Sequence, residues 1–545
     1  MNARMIIKGY IDQMSLAYKG IKVLLMDSFT ISVTSVVLPH SELISRSFYL
    51  FENIKNINVG SQKTTMEGIA CVCFLRPTLD NIDLLCTELK KPTYGSYYLY
   101  FVNKVKPHFL RTLANADRYE LVKKISTVFA DFVPLEPHLF TLNMNNIYKQ
   151  GHWDPDSLSH CKNALLSCSC ALKLNPLVRY QFNSQMSLQL ASELQIAILH
   201  SEEINTTETY HHNATIIILD RNIDLISPIL TQWTYQAVIH EIFGIDNNKI
   251  SSKNVAQGYT SNAKESFEFI VNHDVDEFYM MNRYKNIGDV SIIITKSIQS
   301  LKNKEPEIVK DASINDMKNH IKRHQIFQNN INICTNHMKL INEVTNITKY
   351  LVDIAKIEQS IIFKLESQDK NYQNVISVIK NKKISNLNAL RLCLIYLISD
   401  LSKTKELAKQ FLTRNQTSYQ YKLFISKVLN TSKNSIFKNR YFKDKTIKTE
   451  ENPVNIFDRK QSVLVNIVKK LHYNSLDIEK YPFTTCIHES NTESISNIIV
   501  FIVGGATYAE SLEIHNLNLE NKKFTTLLGS TNIHNFNNLI NEMNN

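Results

Sequence analysis

Apolar runs along the chain predict the strands of parallel sheets. The first part of the chain predicts strands at residues 21–26, 31–37, 49–51, 69–75 and 97–102. Two later runs, residues 216–219 and 498–503, show no polar alternation, which indicates strands buried on both faces. Residues 79–90 and 117–129 repeat apolar positions at helical spacing and predict helices. Strands that alternate with helices predict α/β domains in which helices cover both sides of a parallel sheet.

Residues 246–485 carry almost no strand pattern and predict a large helical region. Helical periodicity is clearest in residues 331–364 and 387–412. Within the same region, residues 430–453 are polar and rich in lysine, which predicts an exposed loop.

A charged motif follows the first of the two buried runs. Asp220 and Arg221 end the predicted strand, and Asp224 comes three residues after the arginine. Ser227 before Pro228 predicts the start of a long helix, since serine caps free N–H groups and proline at the first helical position has none. The charges therefore lie at the carboxyl end of a strand, the edge where open α/β sheets usually bind ligands.

This motif suits either catalysis or structure. Asp220 and Asp224 with Arg221 resemble a catalytic acid pair with a cation, but arginine can also bridge two carboxylates in a structural cluster. The sequence offers no accompanying nucleophile, metal-ligand set or glycine-rich loop, which favours the structural interpretation. Gly504-Gly505, after the second buried run, suits either a phosphate cradle or a tight turn. Without a dinucleotide or P-loop pattern around it, the turn is favoured.

Metal and hydrolase chemistry have little support in the sequence. His160, Cys161, Cys168 and Cys170 would suit a metal site by residue type, but their spacing is not that of a zinc knuckle. A helix face of small residues is the favoured interpretation. No G-x-S-x-G nucleophile elbow occurs. We therefore predict no catalytic residues, no bound metal and no cofactor.

Length and composition indicate a soluble protein of several domains. The 545 residues are too many for one core and predict roughly two to four domains. The net charge of +10 is too small a bias to indicate nucleic-acid binding. Nine cysteines, several in apolar surroundings, predict free thiols in a reducing compartment. Without a recognisable signal peptide or membrane-spanning run, we expect a cytosolic protein that reaches membranes through a partner.

The charged motif also carries a family resemblance. Its order of Leu-Asp-Arg, Asp, Ser-Pro and Thr-Tyr-Gln resembles the SM family, the syntaxin-binding regulators of SNARE-driven membrane fusion, and looks most like the endosomal and trans-Golgi branch. Similar segments occur in the family's order at residues 21–27, 74–78, 276–279, 357–359, 501–508 and 529–535. The chain departs from that branch at Leu225-Ile226, where proline is usual, and residues 400–450 resemble the family weakly.

The resemblance implies a fold of class α/β plus α, the arch-shaped SM fold of three domains. Residues 1–140 would form domain 1, an α/β domain that binds syntaxin. Residues 141–245 and 486–545 would form domain 2, a discontinuous α/β domain. Residues 246–485 would form domain 3, a mainly helical insert.

The resemblance also implies a function without catalysis. The protein is expected to clasp a syntaxin-type SNARE and the assembled SNARE complex, and to promote SNARE assembly for vesicle docking and fusion in endosomal, trans-Golgi and vacuolar trafficking. It is expected to be a monomer that binds no nucleic acid and associates with Golgi and endosomal membranes from the cytoplasm. One alternative is an α/β enzyme that handles a nucleotide or phosphoester through Asp220, Asp224 and Gly504-Gly505. Another is an SM-like protein that has lost its SNARE.

Site residues follow from the same resemblance. SM proteins bind an amino-terminal peptide of their syntaxin in an apolar pocket of domain 1, which here implies Leu110, Val122, Ile125 and Phe129. They hold a SNARE helical bundle in a cleft, which here implies Asp27, Glu52, Lys318, Lys322 and Arg323. For the three cations, a solvated helix face is an equally good interpretation. The structural motif comprises Asp220, Arg221, Asp224 and Pro228.

Overall fold

The chain divides into two compact units. The computed structural model describes residues 1–57, 65–149, 152–206, 210–211, 213–256, 259, 267–272, 274, 276–302, 314–399, 404–414, 418–433, 461–484 and 494–544. The first unit comprises Met1–Ile223, Leu464–Ala506 and Ile514–Ile533, and the second comprises Asp224–Val463, Thr507–Glu513 and His534–Asn545. Most of the lysine-rich segment predicted as a loop, residues 434–453, lies outside the described residues.

A five-stranded parallel sheet with strand order β2-β1-β3-β4-β5 begins the first unit. Its strands are β1 (Lys22–Met26), β2 (Phe48–Asn53), β3 (Met66–Leu75), β4 (Tyr94–Phe101) and β5 (Val122–Thr127). Its helices are α1 (Ala3–Ser15), α2 (Ser28–Val37), α3 (His40–Ser45), α4 (Leu79–Lys90) and α5 (Pro107–Ala116). The predicted helix at 79–90 and four of the five predicted strands are confirmed. Side chains of α4 and α5 pack on β3 and β4 in a single core.

The predicted strand at residues 31–37 is wrong, because this segment belongs to α2. The run is rich in β-branched residues, which favour strands by propensity. A capping box at the start of α2 overrides that preference. The Asp27 carboxylate accepts the N–H of Thr30 at 2.8 Å, and the Thr30 hydroxyl accepts the N–H of Asp27 at 3.0 Å.

The predicted helix at residues 117–129 is also wrong, since the segment contains β5. The Asp117 carboxylate accepts the N–H of Leu121 at 2.9 Å and that of Val122 at 3.0 Å. These bonds turn the chain directly after α5 and direct it into the sheet beside β4. The carboxylate thus binds main-chain N–H groups that would bond to carbonyl oxygens in a helix. Residues 117–129 therefore do not form a helix, although their apolar residues have helical spacing.

The chain then enters a second sheet. Residues 133–220 form the strands β6 (Val133–Glu136), β7 (Leu139–Thr141), β8 (Tyr148–Lys149), β9 (His152–Trp153), β10 (Leu177–Tyr180) and β11 (Ala214–Asp220). The intervening helices are α6 (Pro155–Leu172), α7 (Gln185–Leu199) and α8 (Glu202–Thr206). β8 and β9 pair only with each other. α6 packs on α7, and α7 covers β10 and β11.

The second unit is mainly helical among its described residues, as the sequence predicts. Its helices are α9 (Tyr235–Phe243), α10 (Glu277–Asn282), α11 (Ile287–Lys302), α12 (Ile314–Thr348), α13 (Val352–Ile362), α14 (Gln368–Lys380), α15 (Asn386–Ser399), α16 (Thr404–Leu412) and α17 (Tyr419–Lys433). A short antiparallel pair, β12 (Lys249–Ser251) and β13 (Glu268–Ile270), is also present. α15 is buried on all sides from Leu387 to Ile398 and forms the centre of this unit's core.

The last part of the chain completes the second sheet. Its elements are α18 (Val463–His472), β14 (Asn497–Val503), α19 (Tyr508–Glu520), β15 (Thr525–Ser530) and α20 (Phe536–Asn544). The six strands follow the order β10-β11-β14-β15-β7-β6, and only the β7–β6 pair is antiparallel. β11 and β14 are paired neighbours, buried along almost their whole length, which confirms the two fully buried strands predicted at 216–219 and 498–503.

Buried arginines cover both edges of the second sheet. At the β6 edge, the Arg4 guanidinium donates to the carbonyl oxygen of Leu135 at 3.1 Å. At the β10 edge, Arg179 donates to the carbonyl oxygens of Tyr481 at 2.8 Å and Leu476 at 3.1 Å. Main-chain bonds also pair residues 476–484, here called the strap, antiparallel to β10, with the Tyr180 N–H on the Pro482 carbonyl at 3.2 Å and the Thr484 N–H on the Val178 carbonyl at 3.1 Å. An unpaired strand edge is a template for association with other chains, so the two arginines keep both edges occupied.

Candidate functional site

The charged motif at the end of β11 is bonded within the first unit. Asp220 accepts the hydroxyl of Ser184 at 2.7 Å and the N–H of Asn222 at 2.9 Å. Burial raises the pKa of the Asp220 carboxyl. The Arg221 guanidinium is buried and donates to the carbonyl oxygen of Gly505 at 3.2 Å. These bonds connect the end of β11 to the turn after β14.

Asp224 forms a separate turn in the second unit. It is fully buried and accepts the N–H groups of Ile226 and Ser227, both at 3.0 Å, and the Ser227 hydroxyl at 2.6 Å. These bonds bend the chain, so the long helix predicted to start at Ser227-Pro228 is wrong. The helix of this region, α9, begins at Tyr235.

The glycine pair after β14 is a tight turn filled by protein atoms. Gly504 and Gly505 have φ values of +90° and +91°, which glycine adopts without strain. The Gly504 N–H donates to the Thr531 hydroxyl at 3.1 Å. A Cβ atom on Gly504 would lie 2.5 Å from the Tyr148 hydroxyl. Tyr148 and Thr531 therefore occupy the space that a phosphate would need.

The polar and thiol side chains of α6 do not assemble a metal site. His160 lies 3.5 Å from Asp131, while Cys161, Cys168 and Cys170 are buried free thiols. Burial raises the pKa of Cys168 and so keeps the thiol protonated. Within the described part of the chain, no three His, Cys, Asp or Glu side chains cluster as metal ligands. In the same residues, no helix is both long enough and apolar enough to cross a membrane.

Two of the predicted pocket residues share one face of the first sheet because of a β-bulge. β4 pairs with β5 so that Tyr97 lies beside Val122 and Leu99 beside Ile125, with one additional residue on β5. Residues three apart on a regular strand point to opposite faces, but the bulge places Val122 and Ile125 on the same one. Tyr97 and Leu99 belong to the core beneath α5, so this is the face that α5 covers.

Three of the predicted pocket residues lie on α5 and on the edge strand β5. Leu110 on α5 is 37% exposed and Ile125 on β5 is 45% exposed, while Val122 packs partly on the core below. We refer to these three residues as the outer patch. β5 is an edge strand, so the patch is open on one side. Lys123 and Lys124 are exposed on the same strand and add positive charge.

Phe129 lies apart from the rest of the predicted pocket. It follows the end of β5, and its main chain forms a hydrogen bond with the Tyr10 hydroxyl on α1. Burial is the main cause that raises the pKa of Tyr10 to about 12. The structure therefore places Phe129 beside α1. The sequence suggested a helix that would align it with Ile125, and no signal in the sequence marked the bulge or the edge position of β5.

The two acidic residues predicted for the SNARE cleft have partners inside the first unit. Asp27 is 5% exposed, caps α2 and also accepts the Arg76 N–H at 2.8 Å and the Asn81 side-chain amide at 2.7 Å. It is therefore not available for direct contact with a partner, which corrects the prediction. Glu52 is half-buried and accepts the Tyr94 hydroxyl at 2.9 Å. Asp27 and its partners also fill the end of β1 where a ligand would bind.

The three cations predicted for the cleft are exposed on the first half of α12. Lys318, Lys322 and Arg323 lie on this helix together with three exposed apolar side chains. These are Met317, Ile321 and Ile326, at 57%, 62% and 62% exposure. The second half of α12 is different, because Leu340, Ile341 and Val344 lie in the core. The first half thus exposes both cations and apolar groups, and these six side chains are here called the α12 surface.

Comparisons with known proteins cover almost the whole chain. The Sec1 family model matches residues 22–542. The chain is 30% identical to vacuolar protein sorting-associated protein 45 of Rattus norvegicus over 536 residues, 95% of this chain and 91% of the relative. It is similar to a solved structure of the SM protein Vps45 in complex with the Qa SNARE Tlg2 (1–310), with a TM-score of 0.85, 26% identity and coverage of 99% and 97%. The Unc18–syntaxin 1 complex of Monosiga brevicollis shares the fold at a TM-score of 0.78 and 20% identity, with both chains fully covered.

Proposed function

The chain belongs to the Sec1 family, and we propose from this that it is a non-catalytic regulator that clasps a syntaxin-type SNARE and promotes SNARE assembly. The observation that carries the proposal is the similarity, over nearly the whole chain, to a Vps45 structure solved together with a Qa SNARE. The partners are a syntaxin-type SNARE and the assembled SNARE complex.

The process is vesicle docking and fusion in endosomal, trans-Golgi and vacuolar trafficking. Relatives at 25–30% identity carry the name vacuolar protein sorting-associated protein 45, which supports this assignment. The protein works as a cytoplasmic monomer, without nucleic acid, and is held at Golgi and endosomal membranes by its SNARE partner.

The domain organisation that we propose follows the family. Residues 1–140 form domain 1, residues 141–245 with 486–545 form domain 2, and residues 246–485 form the helical domain 3. The separate first sheet and the mainly helical second unit support this division. The second sheet also takes up β6 and β7 from residues 133–141, so its first strands start slightly before the proposed boundary.

The outer patch is the proposed site for the amino-terminal peptide of the SNARE. An apolar anchor of the peptide would contact Leu110 and Ile125, and Val122 would form the floor. In small interfaces, one or two such anchors supply most of the binding free energy. Lys123 would attract acidic groups that flank the anchor. Phe129 would contribute from the α1 side, beyond the end of β5.

The α12 surface is the proposed contact for the SNARE helices. Exposed apolar side chains beside cations suit an amphipathic acidic helix, because both burial and charge pairing then favour binding. Lys318, Lys322 and Arg323 would pair with acids of the bound helix. In the first unit, Glu52 is proposed as a separate SNARE contact, and Asp27 acts indirectly, since it caps α2 and holds the turn at Arg76.

The enzyme alternative is less well supported. A nucleotide or phosphoester would need access to the ends of β11 and β14. Asp220 and Arg221 are bonded to protein groups there, and Gly504 lies against Tyr148. Asp224 is buried and accepts bonds from Ile226 and Ser227. No observation favours this reading over SNARE binding.

Calorimetry with the cytosolic region of Tlg2 (1–310) as the probe tests the proposal. Leu110→Arg should lower the affinity by at least about tenfold, since it places a charge in an apolar contact of roughly 2 kcal/mol or more. Asn115→Arg adds the same charge at an exposed position of α5 and serves as the matched control. Equal binding by wild type and both variants would rule out the outer patch. Tight binding of a nucleotide that Asp220→Asn abolishes would favour the enzyme instead.

A further inference from the structure

Asp131 lies where the chain passes from the first sheet to the second. It comes four residues after β5 and two before β6. Although the residue is charged, it is only 2% exposed. The short segment before it is tied to the first sheet, because Val128 N–H donates to the Phe101 carbonyl at 2.8 Å and Ala130 N–H to the Val102 carbonyl at 3.2 Å. Asp131 therefore cannot move without also moving the segment that connects it to β5.

Asp131 has partners in the first sheet and in α6, a helix on the side of the second sheet. From the first sheet, the Asn103 amide donates to Oδ2 at 2.6 Å, and Arg76 Nε lies 3.1 Å from Oδ1. From α6, the Ser167 hydroxyl accepts the Asp131 N–H at 3.1 Å, and His160 Nε2 lies 3.5 Å from Oδ1. α6 packs on α7, which covers the second sheet. Asp131 thus connects the two layers, since its carboxylate binds groups of the first sheet and its main-chain N–H binds α6.

Arg76 is itself rigidly held, so this connection does not rest on a flexible side chain. Its N–H donates to Asp27, and its carbonyl oxygen accepts the Thr78 N–H at 2.8 Å and the Asn81 amide at 3.0 Å. Its guanidinium stacks over Phe29 at 4.9 Å, and the His160 ring meets the same phenyl ring at 5.6 Å. Both side chains that approach Asp131 therefore contact the same aromatic ring.

We infer that Asp131 is a positioning residue that fixes the first sheet, and with it the outer patch on β5, relative to the second sheet. A buried carboxylate that loses its partners is strongly unfavourable, so orientations that separate it from Arg76 or Asn103 are disfavoured. The inference rests on the proposed function in one respect. A SNARE that engages both the outer patch and a second surface benefits only when the two are held at a fixed separation.

A distance measurement tests the positioning role without any partner. Spin labels on Asp83→Cys and Gln189→Cys, exposed positions on α4 and α7, report the separation of the two layers. Asp131→Asn should broaden or shift the distance distribution, and the exposed Asp156→Asn on α6 should leave it unchanged. An unchanged distribution in Asp131→Asn overturns the inference. If that variant does not fold, Arg76→Gln, which removes a partly exposed partner, is tested by the same criterion.

Affinities separate positioning from a general loss of structure. The amino-terminal peptide of Tlg2 alone should bind Asp131→Asn within about twofold of wild type, whereas Tlg2 (1–310) should bind about tenfold more weakly, because the second contact no longer reinforces the first. Equal losses for both probes would contradict a positioning role. If wild type binds neither probe, the proposed function fails, and the distance measurement alone decides the role of Asp131.

Discussion

Arg391 is completely buried at the centre of the second unit, and its charge is balanced by acidic and aromatic neighbours. Its guanidinium donates to the Glu241 carboxylate and stacks over the Phe536 ring at 4.9 Å. Thr231 connects it to Glu358, because the Thr231 hydroxyl accepts from Arg391 at 3.2 Å and donates to Glu358 at 2.8 Å. Burial raises the pKa of Glu358. One residue of α15 thus joins α9, α13 and α20.

Arg391→Met is expected to destabilise the second unit by about 3–5 kcal/mol, because Glu241 would remain buried without its cation. Denaturant unfolding measures the loss. Lys380→Met removes an exposed cation at the end of α14 and should change stability by less than about 0.5 kcal/mol. Adding Glu241→Gln to Arg391→Met should recover part of the loss. If Arg391→Met alone lowers the free energy of unfolding by less than about 1 kcal/mol, the Arg391–Glu241 ion pair is not needed for stability.

The β15–β7 pair shows how an element depends on one small residue. Gly529 of β15 lies directly beside Phe140 of β7, and a Cβ on Gly529 would come within 2.1 Å of the phenyl ring. Phe140 also packs on Phe132 and Phe501 at centroid distances of 5.4 and 6.2 Å. The glycine therefore admits an aromatic cluster into the centre of the second sheet.

Gly529→Ala should cost about 1–3 kcal/mol, because the methyl group overpacks a ring that its neighbours hold in place. Thermal unfolding gives the measurement. Gly68→Ala on β3 is the matched control, since no atom lies within 4 Å of a Cβ there. Phe140→Leu combined with Gly529→Ala should cost less than the sum of the two single changes. If the losses of stability of the two single variants simply add up in the double variant, the clash between the alanine methyl group and the Phe140 ring is relieved by movement of other residues.

Helices and strands could be predicted from the sequence where the burial of apolar side chains alone determines the secondary structure. The runs that became β1, β3, β4, β11 and β14 are mainly apolar. α2 and β5 were mispredicted because Asp27 and Asp117 bond nearby N–H groups and reset the chain locally. Such bonds depend on the geometry of single polar side chains. The spacing of apolar residues gives no information about that geometry. The outer patch came from the family resemblance, while the bulge that aligns Val122 with Ile125 left no recognisable pattern.

At the scale of the whole molecule, the chain consists of two compact units with separate cores. The first contains both sheets, and the core of the second centres on α15. The second unit includes Phe536, Leu539 and Ile540 of α20, so the end of the chain is required to complete a core that begins at Leu225. Each unit thus has enough buried apolar surface for its own cooperative unfolding.

Calorimetric unfolding should show two transitions rather than one. Gly529→Ala should lower the melting temperature of the first unit's transition, and Arg391→Met that of the second unit's. Binding of Tlg2 (1–310) should raise whichever transition contains the contact surface. A single transition that shifts equally with both substitutions would show that the units unfold as one.

The arginine contacts at the edges of the second sheet have a consequence for how this protein can diverge. Arg179 binds carbonyl oxygens of the strap, and burial lowers the pKa of its guanidinium to about 10. Every amino acid carries a carbonyl oxygen, so apart from Phe483, over whose ring the guanidinium stacks at 4.6 Å, these contacts of Arg179 place few requirements on the side chains of the strap. Substitutions along the outward side of residues 476–484 can then accumulate in related lineages with little harm. No other side chain can replace Arg179 in these contacts. Selection should therefore conserve the arginine, while the sequence of the strap apart from Phe483 is free to vary.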